Sequence, residues 1–256
     1  MLSQAFSKPL TGTPLNLMHP RSRGCIGRWL GGDGGKRLND SSPYGNHLDL
    51  VNAAHNVWGG GYSGGIAVDF DGSDDAAYRA LLNPPLTLSP QATMSCWFKL
   101  RTSATVVPFY CPLGGSDAAI GIVVISSTGL RFDAVGAGST VTVPSILGRW
   151  VNVCVVYDGA RKKGYLNGAL VEDVAATGPI VVSNEVNIGR FSSSGFNAFP
   201  GPVENCGLWL RPLNDLEVMQ GFDEPFAEFM SDDFSDFVVA GASAFPWQYY
   251  AAQMGA

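Results

Sequence analysis

The run Arg149–Tyr157 limits the possible folds of this chain more than any other stretch. Val151, Val153 and Val155 alternate with Trp150, Cys154 and Val156, so both faces of the run are apolar. A run this short suits a strand better than a helix, and a strand that is apolar on both faces must be covered on both. That places it in the middle of a sandwich. Just beyond it comes Lys163-Gly-Tyr-Leu-Asn167-Gly168-Ala-Leu-Val171, with Asn-Gly between two apolar runs. This is a strong hairpin signal, because a type I′ turn needs positive φ at both central residues.

Shorter signals of the same kind fill the chain from about residue 25 to 213. Ile66, Val68 and Phe70 alternate with Ala67 and Asp69, and Met94, Cys96, Phe98 and Leu100 alternate with Ser95, Trp97 and Lys99. Val186–Arg190 and Val203–Trp209 read as strands, and Ala119–Ile125, Leu130–Val135 and Ser139–Val143 are further candidates. Glycine (32 residues) and proline (16) punctuate them throughout. At least ten short strands with turns between them predict an all-β fold, an antiparallel two-sheet jelly-roll sandwich. After the last strand, Asn214 and Asp215 can cap a short helix through Gly221, with Glu217 in its first turn. Pro225 stops it. No stretch of 18 apolar residues occurs, so no membrane-spanning helix is expected.

The ends differ from the body. Residues 1–24 contain Pro9, Pro14 and Pro20 and read as an extended arm. Residues 223–256 hold six acids and no base, which equals the whole net charge of −6. The body carries no basic stripe, so nucleic acid is not an expected partner. Nine of the chain's 28 aromatics lie from Phe222 onward. Disordered tails are poor in such residues, so this one either packs on its own sandwich or docks on a neighbouring subunit. Phe226, Phe229, Phe234, Phe237, Trp247 and Tyr249 are the expected assembly contacts, and a homo-oligomer follows, a trimer if it sits on threefold positions of a shell. The domain boundaries are therefore 1–24, 25–222 and 223–256. Five cysteines without a C-x-x-C pair read as buried free thiols. The N-terminus lacks a basic-then-apolar secretion pattern, so folding in a reducing cytoplasm is expected.

Several segments in series resemble the laminin G-like members of the concanavalin A-like lectin/glucanase superfamily. Trp29…Leu38-Asn-Asp40-Ser41-Ser-Pro-Tyr-Gly45-Asn46-His47 resembles the family's opening strand and turn, and Phe70-Asp71-Gly72-Ser-Asp74-Asp75 its following hairpin. Met94–Phe98, Gly148–Gly159, Gly164–Gly168, Val186–Arg190 and Pro202–Trp209 follow in the family's order. The ends, Leu2–Arg23 and Glu224-Pro225-Phe226, resemble laminin G-like proteins of tailed bacteriophages and prophages. That resemblance implies a virion component, folded in the host cytoplasm. It would be a capsid decoration (cement) protein or appendage, contacting the major capsid or other virion proteins and adhering to host surface glycans. The alternative is a carbohydrate-binding module of a bacterial surface assembly.

The superfamily also implies a test for catalysis. Retaining glycosidases place two carboxylates about 5 Å apart, on a Glu-x-Asp-x-x-Glu motif in this fold. Only Glu172, Glu185, Glu204 and Glu217 precede residue 222, and none has an acid two places on. A non-enzyme is therefore expected. No cofactor is expected; calcium is the weaker reading of Asp69, Asp71 and Asp74, which a tight turn explains better. An EF-hand is excluded, because the twelfth position from Asp69 is Ala80. His19, His47 and His55 fit no zinc pattern, and His47 suits a turn. Trp58, Tyr62 and Trp97 are candidates for stacking on sugars, although such rings more often pack in cores. Trp97 stands out because Ser95 and Lys99 share its face of the strand.

Overall fold

In the computed structural model the doubly apolar run becomes the strand Trp150–Tyr157, lying third from the edge of its sheet with cover on both faces. Residues 8–52, 58–62, 64–86, 89–112, 120–181, 184–191 and 197–230 are described by the structure. They contain strands β1 (Cys25–Trp29), β2 (Arg37–Leu38), β3 (Leu48–Val51), β4 (Trp58–Gly60), β5 (Ile66–Asp71), β6 (Ala76–Arg79), β7 (Ala92–Lys99) and β8 (Val106–Cys111). The second half adds β9 (Ile120–Ser126), β10 (Gly129–Ala134), β11 (Ala137–Thr142), β12 (Trp150–Tyr157), β13 (Arg161–Leu166), β14 (Ala169–Ala175), β15 (Val186–Ile188) and β16 (Pro200–Trp209). One α-helix, α1 (Asp215–Asp223), follows.

The strands form two antiparallel sheets of eight. One runs β14-β13-β12-β7-β16-β5-β4, with β1 also paired to β16, and the other runs β11-β10-β9-β8-β15-β6-β3-β2. The all-β sandwich is as expected. Between the sheets lies the main core, which takes Val151, Val153, Val155 and Tyr157 from β12 and Met94, Cys96 and Phe98 from β7. The hairpin turn has Asn167 at φ 51 and Gly168 at φ 76, the positive pair its sequence demands. The strands that sequence patterning missed are short, such as two-residue β2 and three-residue β4, or interrupted, such as β8 with Pro108. Periodicity has no length to show itself in the first two. In β8 the register shifts between Val106 and Phe109, where the proline sits.

The outer face of the first sheet carries a second, smaller core: Leu15, Cys25, Cys154, Val156, Tyr165, Trp209, Leu213 and Val218. Helix α1 supplies Val218. Asn214 caps it through a reciprocal pair of bonds, Asn214 Oδ1 accepting from Glu217 N–H at 3.0 Å and Glu217 Oε2 accepting from Asn214 N–H at 2.9 Å.

The described residues of both ends lie against the sandwich. Residues 8–24 lie on the sandwich rather than beside it. Pro20–Ser22 forms a 3-10 turn, and Arg21 C=O accepts the Trp209 indole N–H at 2.7 Å. Past the helix, Phe226 is 2% exposed and Phe229 packs against the second core. Phe226 is therefore not available as an assembly contact, and Phe229 is half-buried against its own chain. The cause is Glu228, which is buried between Arg21 and Arg28 at 2.8 and 2.6 Å and draws its flanking rings inward. Phe234, Phe237, Trp247 and Tyr249 lie outside the described residues.

Candidate functional site

On the outer face of the first sheet, register pairs Trp97 with Asn152 on one side and Glu204 on the other. Trp97 points outward because its neighbours Cys96 and Phe98 fill the main core and side chains alternate along a strand. The Tyr62 ring lies flat on Trp97, with centroids 3.9 Å apart and planes 20° apart. Phe222, in the last turn of α1, lies parallel to Trp97 at 5.6 Å. Trp150 meets Tyr62 edge-on at 6.5 Å. Trp97 is left 1% exposed and Tyr62 46%. The Trp97 indole N–H is buried and has no partner among the described residues.

Glu204 is buried beside this stack. Its Oε1 accepts the Tyr62 backbone N–H at 2.8 Å, and its Oε2 faces Lys8 Nζ at 3.2 Å. Lys8 also donates to Ile66 C=O at 2.5 Å. Burial lowers the Lys8 ammonium below the usual lysine value, and the Glu204 charge opposes that shift. A Cβ on Gly61 would stand 2.2 Å from Glu204 Oε2, so only glycine lets the backbone before Tyr62 come this close.

The structure thus brings together two of the three candidate stacking residues, Tyr62 and Trp97. Trp58 is apart from them: it packs against the main core and donates its indole N–H to Gly35 C=O at 3.2 Å. Glu204 and Asn152 were not singled out from the sequence. Placing them beside Trp97 requires the register of three strands, β12, β7 and β16, and the last has a bulge between Glu204 and Gly207.

The acidic candidates divide differently from the expectation. Asp71, Asp74 and Asp75 bring carboxylate oxygens within 4.8 Å of one another. Asp69 is not among them and instead pairs with Arg101. Calcium takes six to eight oxygens, and these carboxylates could supply part of such a shell. The bonds present are those of a tight turn: Asp71 Oδ1 accepts Ser73 N–H at 2.7 Å, and Asp75 Oδ2 accepts Asp71 N–H at 3.2 Å. His47 serves a turn as expected, its Nδ1 accepting Asp40 N–H at 3.0 Å.

Each of the four glutamates before residue 222 has a structural partner. Glu172 pairs with Lys162 at 3.1 Å, Glu185 accepts Asn187 Nδ2–H at 2.7 Å, and Glu217 caps α1 and pairs with Arg211 at 2.6 Å. Glu204 holds Tyr62 and Lys8. All five cysteines are buried and free. Burial pushes the Cys25 and Cys154 thiols up to about 12, so neither offers a thiolate nucleophile at neutral pH.

Two antiparallel sheets with a ringed polar row on one outer face define a lectin-like β-sandwich. The chain belongs to the concanavalin A-like lectin/glucanases superfamily, whose laminin G-like family matches residues 71–219. No curated protein matches the chain. Among solved structures, Trypanosoma rangeli sialidase in complex with 2,3-difluorosialic acid is similar at TM-score 0.62 and 16% identity over 82% of this chain and 34% of that one. The receptor-binding domain of botulinum neurotoxin C/D mosaic serotype aligns at TM-score 0.60 and 11% identity over 79% and 51%. The botulinum neurotoxin serotype G binding domain aligns at 0.59 and 14% over 77% and 50%. The chain spans about half the length of the toxin domains and a third of the sialidase. At these identities the likeness is one of fold.

Proposed function

We propose that the chain is a non-enzymatic, glycan-binding structural protein of a bacteriophage virion, a capsid decoration protein or appendage that adheres to host glycans. The observation that carries the binding half is the Asn152–Trp97–Glu204 row with Tyr62 stacked on it. An aromatic face flanked by a planar amide and a carboxylate is the composition of a sugar site. The fold is shared with a toxin receptor-binding domain and with a sialidase, so it suits binding and hydrolysis alike. The structural partners of the four glutamates favour binding. The virion half rests on the sequence resemblance of the two ends.

A glycan array and mass spectrometry of purified particles test the two halves separately. Selective glycan binding together with stoichiometric copies in virions supports both. Selective binding without virion copies supports the alternative, a carbohydrate-binding module of a bacterial surface assembly. The proposed homo-oligomer is tested by truncation after Met230, which spares Phe226 and Glu228. The shortened chain is expected to keep its fold and lose its oligomeric state in light scattering. An unchanged state would remove Phe234, Phe237, Trp247 and Tyr249 from the assembly.

A further inference from the structure

Tyr62 contacts the sheet in two ways, and each is a contact that a sugar makes. Its ring covers Trp97 face to face at 3.9 Å, as the apolar C–H face of a pyranose would. Its backbone N–H donates to Glu204 Oε1 at 2.8 Å, as a ring hydroxyl would. Both contacts are made to groups that a pyranose can also use, a flat apolar face and a carboxylate oxygen.

Resting on the glycan-binding function above, we propose that Tyr62 is a built-in surrogate ligand. A neutral pyranose binds Trp97 by taking the place of Tyr62, stacking on the indole and donating a hydroxyl to Glu204. Neutral sugars are selected because the vacated position faces a carboxylate, and an acidic sugar would set like charge against it. Lys8 Nζ, 3.2 Å from the far oxygen of Glu204, holds that carboxylate in place while the near oxygen faces the Tyr62 position. Exchange at this position is compatible with the local chain. Tyr62 follows Gly59, Gly60 and Gly61 and precedes Gly64, at φ 75, and Gly65. Tyr62 already has 46% of its surface in water. The segment is held to itself by Gly61 N–H donating to Gly65 C=O at 2.8 Å, a bond that does not involve the tyrosine ring. Because surrogate and sugar compete for one position, apparent affinity falls by the fraction of molecules in which Tyr62 is in place.

The test is calorimetry on the full chain with methyl β-glucopyranoside, methyl β-galactopyranoside and chitotriose as neutral probes and 3′-sialyllactose as the acidic one. Tyr62→Ala is expected to bind at least one neutral probe about tenfold or more tightly than the unsubstituted chain, as removal of a competing state predicts. Adding Trp97→Leu, which removes the flat face on which tyrosine or sugar stacks, is expected to reverse the gain. If Tyr62→Ala binds the neutral probes equally or more weakly, the surrogate is overturned while the glycan-binding function stands. If neither protein binds any probe and the array is silent, both fall. Preference for 3′-sialyllactose overturns the neutral assignment. A second measurement does not depend on the variants: in the unsubstituted chain a saturating neutral probe should speed hydrogen exchange at the Tyr62 amide, and unchanged protection overturns displacement.

Discussion

Glu228 Oε1 lies 2.6 Å from Arg28 Nη2, a buried ion pair that joins two residues 200 positions apart in the chain. Arg21 reaches the other carboxylate oxygen at 2.8 Å, and both guanidiniums stand about 6 Å from the Trp209 ring at 5.8 and 6.0 Å. Arg28 also donates to Asn205 C=O and Pro225 C=O at 2.9 and 3.0 Å. One acid therefore fastens the residue 8–24 segment, β1 and the turn after α1 to the same point.

Replacing Glu228 by Gln should cost about 3–5 kcal/mol, because it leaves two buried cations without their counter-charge. Urea denaturation of the variant against the unsubstituted chain measures this. A loss below about 1 kcal/mol would mean that water reaches the arginines.

The same carboxylate sets an acid limit. Burial alone pushes Glu228 up, but the charges of Arg21 and Arg28 outweigh it and hold the group below the usual carboxylate range. A carboxylate lowered on folding adds stability above its unfolded value, about 4.3, and loses it as pH falls through the folded value. The melting temperature should therefore hold from neutral pH to about 5 and drop below about 4. In Glu228→Gln this part of the acid slope should be absent.

Lys162 is buried within the sandwich, where its Nζ donates to Phe132 C=O at 2.6 Å, Ala137 C=O at 2.7 Å and Ser139 Oγ at 2.8 Å, beside Glu172 at 3.1 Å. Lys162→Met should destabilise by about 3–5 kcal/mol by stranding that carboxylate. Adding Glu172→Gln should recover part of the loss, and a double-mutant cycle reads the coupling. Additive losses would show that the carboxylate finds water.

Gly164 on β13 faces Phe132 on the opposite sheet, and a Cβ there would stand 2.4 Å from the ring. Gly164→Ala should cost about 1–3 kcal/mol by overpacking. Gly34→Ala is no control, since its φ is 72; Gly60→Ala, with open space around it, is one. Equal melting temperatures for the 164 and 60 variants would contradict the close approach.

Much of this was legible in the sequence. Period two gave β5, β7 and β12 because each has six or more residues and a buried face. Asn214 and Glu217 announced the helix because capping is local. The Asp40–His47 turn was legible only as a resemblance. Its physics is a buried network in which the Asp40 carboxylate accepts from the N–H groups of Arg28, Ser42 and Asn46. The site was half legible. Trp97 was marked by its polar strand neighbours, but Tyr62 reaches it from a loop, and Glu204 through cross-strand register. The composition of the tail shows that its rings need burial and not where. Phe226 finds burial within its own chain through an ion pair that no local pattern encodes.

The five thiols have a bearing beyond packing. None is exposed and none is cross-linked, and burial suppresses the thiolate of at least Cys25 and Cys154. The sandwich therefore needs no disulfide to mature and presents no exposed thiol to an oxidant afterwards. The cysteines of such a sandwich stay thiols whether the surroundings are reducing or oxidising, so thiol–disulfide exchange gives no handle on its stability.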